Sequence, residues 1–312
     1  MDEPNKNKQK MRPKWMDDIP LVIMALPALL VTLIWHYFPM VGLVMAFQRL
    51  DMKRGVFSSP WVGLDNFKFL FASTDAWVIT RNTVCYNAVW IVLNMILAVS
   101  LALVLSELVS RKLAKVLQTI YMMPHFLSWP VVAIVALAFL SPSGGVLNHI
   151  VAFFGGPERT NWYGEIKYWP FILTFFHIWK GTGYSAIVYL AAISGISQEY
   201  YEAAMLDGAT KWQQARYITI PQLKTMMSIL LIMAIGGIFR GDFGLFYTVT
   251  QNKGTLYPVT NIIDTYVYNA MTQLSNYGMA TAAGLYQSIV GCILLLISNS
   301  IVARIEPENS LF

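Results

Sequence analysis

The sequence predicts an all-α membrane protein, because three observations agree. Of its 312 residues, 56% are hydrophobic and only 12% are charged, against about 25% charged residues in an ordinary soluble domain. The apolar residues gather in runs. Six of these runs are long enough for a transmembrane helix, which needs about 20 residues. The positive residues behind the net charge of +5 lie between these runs, which indicates orientation in a bilayer rather than nucleic-acid binding.

The six predicted spans follow one another with polar connections. The first has no Lys, Arg, Asp or Glu and contains three prolines, so we expect it to be kinked or split. It is too long for a cleaved signal peptide and lacks a small-residue cleavage site. The predicted spans are residues 19–48, 82–106, about 116–140, 168–196, about 225–248, and a sixth that ends near Ala303. This leaves 1–18 and 305–312 as tails and 19–304 as the membrane domain.

The distribution of Lys and Arg predicts the orientation of the spans. One side of the membrane receives twelve of these residues, from the N-terminal tail, the connections 2–3 and 4–5 and the C-terminus, and the other side receives eight. Because cytoplasmic segments carry the excess of Lys and Arg, both termini are expected to face the cytoplasm. An even number of spans agrees with this.

The polar connection between spans four and five carries residues at fixed spacing. Acidic residues soon after Ser197 suit the positive end of a helix dipole, and Gly208 favours a helix end. We therefore expect a short helix along the membrane surface, with the next span restarting at Pro221. The fixed positions are Glu202, Ala203, Ala204, Gly208, Ile218 and Pro221.

This pattern resembles the EAA loop of ABC-importer permeases, the membrane subunits that depend on a separate solute-binding protein. The family pattern is E-A-A, three residues, G, nine residues and I-x-L-P, and the one departure is Ile220 in place of Leu. The resemblance implies a six-helix type I importer permease fold in a bacterial cell membrane, with residues 197–221 as the cytoplasmic coupling segment. An ordinary amphipathic surface helix is the alternative interpretation. The residues implied to contact the ATPase are Glu202, Ala203, Ala204, Asp207 and Gly208.

The resemblance also implies partners. They are a second, related permease, two cytoplasmic ATPase subunits that bind ATP and Mg, an extracellular or periplasmic solute-binding protein, and membrane lipid. The phrases WVGLDNF, GGIFRGDFGLFYTVT and LYPVTNIIDTYVYNAM are similar to those of oligosaccharide permeases, which makes an oligosaccharide the expected substrate.

No cofactor and no catalytic role are expected in this chain. It has no G-x-x-x-x-G-K-[ST] phosphate loop, so ATP must be hydrolysed by another subunit. Its four histidines are scattered. Cys85 and Cys292 lie inside apolar runs without metal-ligand spacing, as buried small hydrophobic residues do.

Polar residues inside the spans predict the substrate route, because charges in a bilayer are costly and usually face a cavity. Aromatic faces beside hydrogen-bonding groups would suit a sugar ring. The alternative is that the charges snorkel or pair with a partner subunit and that the aromatic residues only pack. Glycines 236, 237, 241 and 244 indicate either close helix contact or a broken helix. The predicted pathway residues are Trp179, Lys180, Tyr184, Arg240, Asp242 and Phe243.

Two other functions remain open at this point. A permease of the same family for a non-sugar solute would carry the same EAA loop. A secondary transporter driven by an ion gradient should show inverted repeats and several intramembrane acids, whereas only Asp242 stands inside a predicted span. A membrane enzyme or a structural protein fits less well, because neither explains the motif spacing.

Overall fold

The computed structural model describes residues 14–68 and 73–305, with side chains for 21–68 and 73–304. The described residues form helices joined by turns, and their extended pairing is an isolated antiparallel bridge between Gln48 and Trp61. The all-α prediction is therefore confirmed over the described part of the chain. Segments 1–13 and 306–312, which hold most of both predicted tails, lie outside it.

Twelve α-helices are described. The first continues beyond Thr32 through a π-helical turn and a 3-10 turn to Phe47. The helices are α1 Lys14–Thr32, α2 Thr74–Ser106, α3 Arg111–Met122, α4 Trp129–Leu140, α5 Val146–Phe153, α6 Trp169–Ser194, α7 Gln198–Leu206, α8 Lys211–Gln214, α9 Ile220–Gly236, α10 Tyr257–Thr260, α11 Ile263–Thr272 and α12 Tyr277–Ile305.

Four described helical segments are long and apolar enough to cross a membrane, and the bent pair α3–α4 makes a fifth. Helix α6 is not among them, although its 26 residues reach about 39 Å. It carries polar side chains within its length, among them His177 and Lys180. The count of six spans stays a prediction. The four segments are Leu21–Phe47, Thr74–Ser106, Lys211–Gly236 and Tyr277–Arg304.

The third predicted span is sharply bent near its middle. Helix α3 passes into a 3-10 turn, Met123–Phe126, and α4 then starts in a direction that differs by 99°. Pro124 lies in this turn and Pro130 in the first turn of α4. Each proline lacks an N–H and disfavours the helical conformation of the preceding residue, so a straight helix cannot run through both.

The fifth span differs from the prediction at both ends. It begins at Lys211 rather than at Pro221, because Thr210 caps the helix there in a reciprocal pair with Gln213. A π-helical turn, Ala215–Thr219, lets the helix continue through Pro221. In this turn the N–H of Ile220 bonds to the Ala215 carbonyl instead of the usual i−4 partner. Beyond Gly236 the helix stops, and residues 237–242 are not helical. A broken helix, one of the two interpretations of the glycines, is confirmed.

Helices α2 and α6 pack along each other and carry the core. Towards the cytoplasmic side predicted above, alanines such as Ala98, Ala102 and Ala186 let the two backbones approach closely. The other half of the core is aromatic, with Trp90, Trp169 and Phe246 fully buried.

The first helical segment stands apart from this core. In its most apolar stretch no residue is buried by the rest of the chain, and Trp35 and Phe38 are more than 70% exposed. Only its end touches the bundle, where Ala46 is buried near the start of α12. Its apolar surface is therefore left to lipid or to another chain.

The phrase WVGLDNF has a structural role at that end. The Asn66 amide donates to the carbonyl oxygens of Ala46 and Gln48, each at 2.9 Å, and so satisfies groups that the helix end leaves free. Gly278 permits this arrangement, because a Cβ there would lie 2.6 Å from Asn66 Nδ2 and 2.8 Å from the Gln48 oxygen.

Candidate functional site

The predicted surface helix between spans four and five is present as α7. The Ser197 hydroxyl accepts a hydrogen bond from the Glu199 N–H at 3.4 Å, and the helix ends before Gly208, whose φ is +76°. This left-handed conformation is the one that glycine adopts without strain. The Ala209 N–H closes the turn on the Ala204 oxygen at 2.8 Å.

None of the nine residues of α7 is buried in this chain. Four of the five predicted contact residues, Glu202, Ala203, Asp207 and Gly208, are exposed, and Ala204 is half-buried. Two apolar residues beside them, which the sequence did not predict as contacts, are also exposed: Leu206 by 91% and Met205 by 51%. Exposed apolar residues next to acidic ones are typical of a protein-binding surface.

One contact joins α7 to the π-helical turn that follows it, and a second joins the start of α8 to the end of α2. The Tyr201 and Thr219 hydroxyls lie 3.0 Å apart, and Lys211 Nζ lies 2.9 Å from Glu107 Oε2, beyond the end of α2. The ion pair is well exposed, so it fixes position more than it adds stability.

The break in the fifth span is held by side chains from two other helices. On α2, Asn87 Nδ2 donates to the carbonyl oxygens of Ile238 at 2.9 Å and Arg240 at 3.0 Å. On α12, Gln287 donates to the Phe239 carbonyl. These contacts supply partners to carbonyls that have left the helix, which an apolar environment requires.

The third support of the break is Asp264 at the start of α11. Its Oδ2 accepts the Gly241 N–H at 2.6 Å and the Gln287 amide at 3.1 Å. The sequence did not predict any of the three supporting residues, Asn87, Asp264 and Gln287. Isolated amide residues inside apolar runs were the signal that could have identified Asn87 and Gln287.

A cavity of ≈370 Å³ lies between α2, α6 and α9. Its wall combines aromatic faces with polar groups. Asn94 Nδ2 donates to Ser185 Oγ at 3.0 Å, whereas Asn94 Oδ1 is buried and has no hydrogen-bond partner in the described part of the chain. The aromatic and polar residues of the wall are Asn87, Trp90, Asn94, His177, Tyr184, Ser185 and Tyr189.

Two stacked ring pairs shape this cavity. Trp90 and His177 stack with centroids 3.8 Å apart and an interplanar angle of 12°, and the Trp90 indole N–H donates to Thr174 Oγ1 at 3.0 Å. Tyr184 stacks on His125, at 4.6 Å and 11°. His125 belongs to the turn that breaks the third span, so that break reaches the cavity wall.

The structure does not bring the six predicted pathway residues into one site. Tyr184 lines the cavity, whereas Trp179 lines a separate apolar groove of ≈540 Å³ between α4, α5 and α6. Phe243 joins Tyr247 and Tyr268, with ring centroids 5.0 and 4.9 Å away.

The three charged pathway residues sit at the helix breaks. Arg240 is exposed within the break of the fifth span. Lys180 Nζ donates to the His125 carbonyl at 2.7 Å, and Asp242 Oδ1 accepts the Leu245 N–H at 3.2 Å. Their roles toward a substrate stay predictions. No group of three or more His, Cys, Asp or Glu that could hold a metal ion occurs among the described residues.

Comparison with known proteins gives one family and several close relatives. Residues 94–307 match the family model of the binding-protein-dependent transport system inner membrane component. The chain is 33% identical over 289 residues to the polygalacturonan/rhamnogalacturonan transport system permease protein YteP of Bacillus subtilis, covering 93% of this chain and 89% of that protein.

Solved structures agree over nearly the whole length. One chain of a bacterial ABC transporter involved in the import of the acidic polysaccharide alginate superposes with a TM-score of 0.85 and 34% identity, over 94% of this chain and 99% of that chain. A chain of the bacterial alginate ABC transporter in complex with an alginate pentasaccharide-bound periplasmic protein gives 0.84 and 33%, over 94% and 96%.

Proposed function

The chain belongs to the family of binding-protein-dependent transport system inner membrane components, and from this membership we propose that it forms half of the translocation pathway of an oligosaccharide importer. It is a membrane-embedded permease subunit without catalytic activity, and its ABC-importer permease fold is the one that the EAA-like motif implied. The other half of the pathway would come from a second, related permease.

The observation that carries the sugar assignment is the cavity between α2, α6 and α9. The faces of Trp90 and Tyr184 can lie against the apolar side of a sugar ring. Beside them, the polar wall residues Asn94 and Ser185 can form hydrogen bonds with sugar hydroxyls. The transport substrates in the relatives' names, polygalacturonan/rhamnogalacturonan and alginate, support the same class.

We assign the recognition of acidic sugars to Arg240. Its guanidinium is exposed at the break of the fifth span and makes no ion pair within the described residues. An arginine binds a carboxylate through two parallel hydrogen bonds, which suits a uronic acid. The name of one structural relative describes its substrate as an acidic polysaccharide.

Helix α7 is the surface that we assign to the ATPase. Glu202, Ala203, Ala204, Asp207 and Gly208 would contact it, with Leu206 as an apolar anchor. Two such subunits would bind ATP and Mg in the cytoplasm, and both termini of this chain would face them. A solute-binding protein would deliver the sugar from outside. In support, one structural relative is in complex with an alginate pentasaccharide-bound periplasmic protein.

The test is the ATPase activity of the complex that contains this chain, the second permease and the two ATPases in liposomes. Binding proteins loaded with oligogalacturonides, neutral oligosaccharides or a non-sugar solute are added in turn. Stimulation by a sugar-loaded protein alone would support the proposal. Stimulation only by the non-sugar form would replace the sugar assignment by the alternative within the same family.

A further inference from the structure

The breaks in the third and fifth spans touch each other. Gly244, just after the second break, packs against the Trp129 indole that starts α4, and any Cβ at Gly244 would overlap the indole Cδ1. The two interrupted helices therefore contact each other at their breaks, where backbone groups need hydrogen-bond partners from outside the helix.

Lys180 joins these two breaks to the unbroken helix α6. Its ammonium donates to the His125 carbonyl at 2.7 Å, on one side of the bend, and lies 5.3 Å from the centroid of the Trp129 ring, on the other side. The charge is therefore held by a backbone dipole and an aromatic face, both of which attract a cation. A lysine that only snorkelled toward the membrane surface would not need either contact.

Asp242 closes the arrangement from the fifth span. Its carboxylate caps the Leu245 N–H at 3.2 Å. Asp242 lies two residues before Gly244, which packs against the Trp129 indole. It also attracts the Lys180 charge without direct contact, since no ion pair within 4 Å joins them. Trp129 and Lys180 thus contact neighbours on other spans, and Asp242 caps the backbone where the fifth span becomes helical again.

We infer that Trp129, Lys180 and Asp242 form a brace that fixes the two breaks relative to α6 and thereby positions Tyr184 at the cavity wall. His125 makes this connection. Lys180 donates a hydrogen bond to the His125 carbonyl, and the His125 imidazole stacks on the Tyr184 ring. The inference rests on the proposed function only for the consequence at the cavity. Lys180 is then a positioning residue rather than a sugar ligand.

The brace is tested by measuring the bend of the third span in the assembled transporter. Spin labels at Val116 and Leu137, both exposed, would be placed after Cys85 and Cys292 are changed to Ser. The two arms of the 99° bend place these positions about 20 Å apart, against about 30 Å in a straight helix. The parent protein should give one narrow distance distribution.

Lys180→Met should broaden this distribution and shift it to longer distances, and Lys180→Arg should restore it. Trp129→Phe replaces the indole, which contacts Gly244 and the Lys180 ammonium, by a smaller ring, and serves if Lys180→Met does not assemble. The matched control is Lys253→Met, which removes a lysine 4.5 Å from the centroid of the Tyr163 ring and away from the breaks. An unchanged distribution in both Lys180→Met and Trp129→Phe would overturn the brace.

A second readout tests the consequence at the cavity. In Lys180→Met, stimulation of ATP hydrolysis by the loaded binding protein should fall at least fivefold while basal hydrolysis stays. If the distance changes and stimulation does not, the link from the brace to Tyr184 is refuted. The distance measurement needs no sugar, so a wrong sugar assignment would leave its outcome unaffected.

Discussion

Asn87→Leu should destabilise the transporter by removing the support of the broken fifth span. The side chain is nearly isosteric, so the change acts through hydrogen bonds. The two amide hydrogens of Asn87 are shared among three backbone acceptors. These are the carbonyl oxygens of Ile238, Arg240 and, at 2.9 Å, Thr83. The loss of these hydrogens leaves the carbonyls of Ile238 and Arg240 without this hydrogen-bond donor.

The magnitude follows from two lost hydrogen bonds. Each costs about 1 kcal/mol when a partly buried acceptor is left unpaired, and interhelical bonds in membrane proteins average about 0.6 kcal/mol. The expected loss is therefore about 1 to 2 kcal/mol, which corresponds to about 4 °C in the unfolding temperature of a chain of this size. The assay is thermal unfolding of the purified complex in detergent, followed by size-exclusion chromatography.

The matched control is Asn94→Leu, seven residues further along the same helix. Asn94 makes one side-chain bond, to Ser185, and carries a buried oxygen without a partner, so the loss of stability should be smaller. Transport by this variant should fall instead, because Asn94 lines the cavity. Equal unfolding temperatures for Asn87→Leu and the parent protein would refute the view that side chains hold the break.

Three further perturbations separate the coupling helix, the outer packing and the pathway. Gly208→Ala should abolish uptake with membrane insertion intact, because a φ of +76° costs a non-glycine residue about 1 to 2 kcal/mol; normal uptake would remove the turn from coupling. Gly278→Ala should lower the unfolding temperature by forcing Asn66 away, whereas Gly284→Ala, which meets nothing within 4 Å, should not; equal effects would contradict the packing argument. Arg240→Ala should reduce uptake of acidic oligosaccharides at least tenfold and of neutral ones little, as radiolabelled uptake would measure; equal losses would favour a packing role.

The sequence predicts the surface helix α7 well because its signals are local. Ser197 and Gly208 act on their own turns, through a hydroxyl acceptor and a positive φ, and both behave as expected. The long apolar runs likewise identify α2 and α12, since burial in lipid needs only length and composition. The family resemblance then supplied the permease fold.

The helix breaks were harder to predict because their partners are distant in sequence. Nothing near Pro221 reveals that a π-helical turn will absorb it, and nothing near Lys180 reveals that the His125 carbonyl will be free 55 residues away. The predicted pathway residues were chosen as charges within a span. Such charges are equally needed where a broken backbone requires support, and only tertiary contacts tell the two uses apart.

The detached first helix has a consequence for how this sequence can vary. Between Leu21 and Met40 no side chain is buried by the chain's own bundle, so this bundle imposes no shape on the residues there. The demands on that stretch come from the thickness of the bilayer and from whatever chain lies beside it. An exchange for another apolar helix of equal length should leave the fold of residues 74–305 unchanged, while the fit to neighbouring subunits changes. Differences between species in how the subunits pair could therefore accumulate in this helix without changing the translocation pathway.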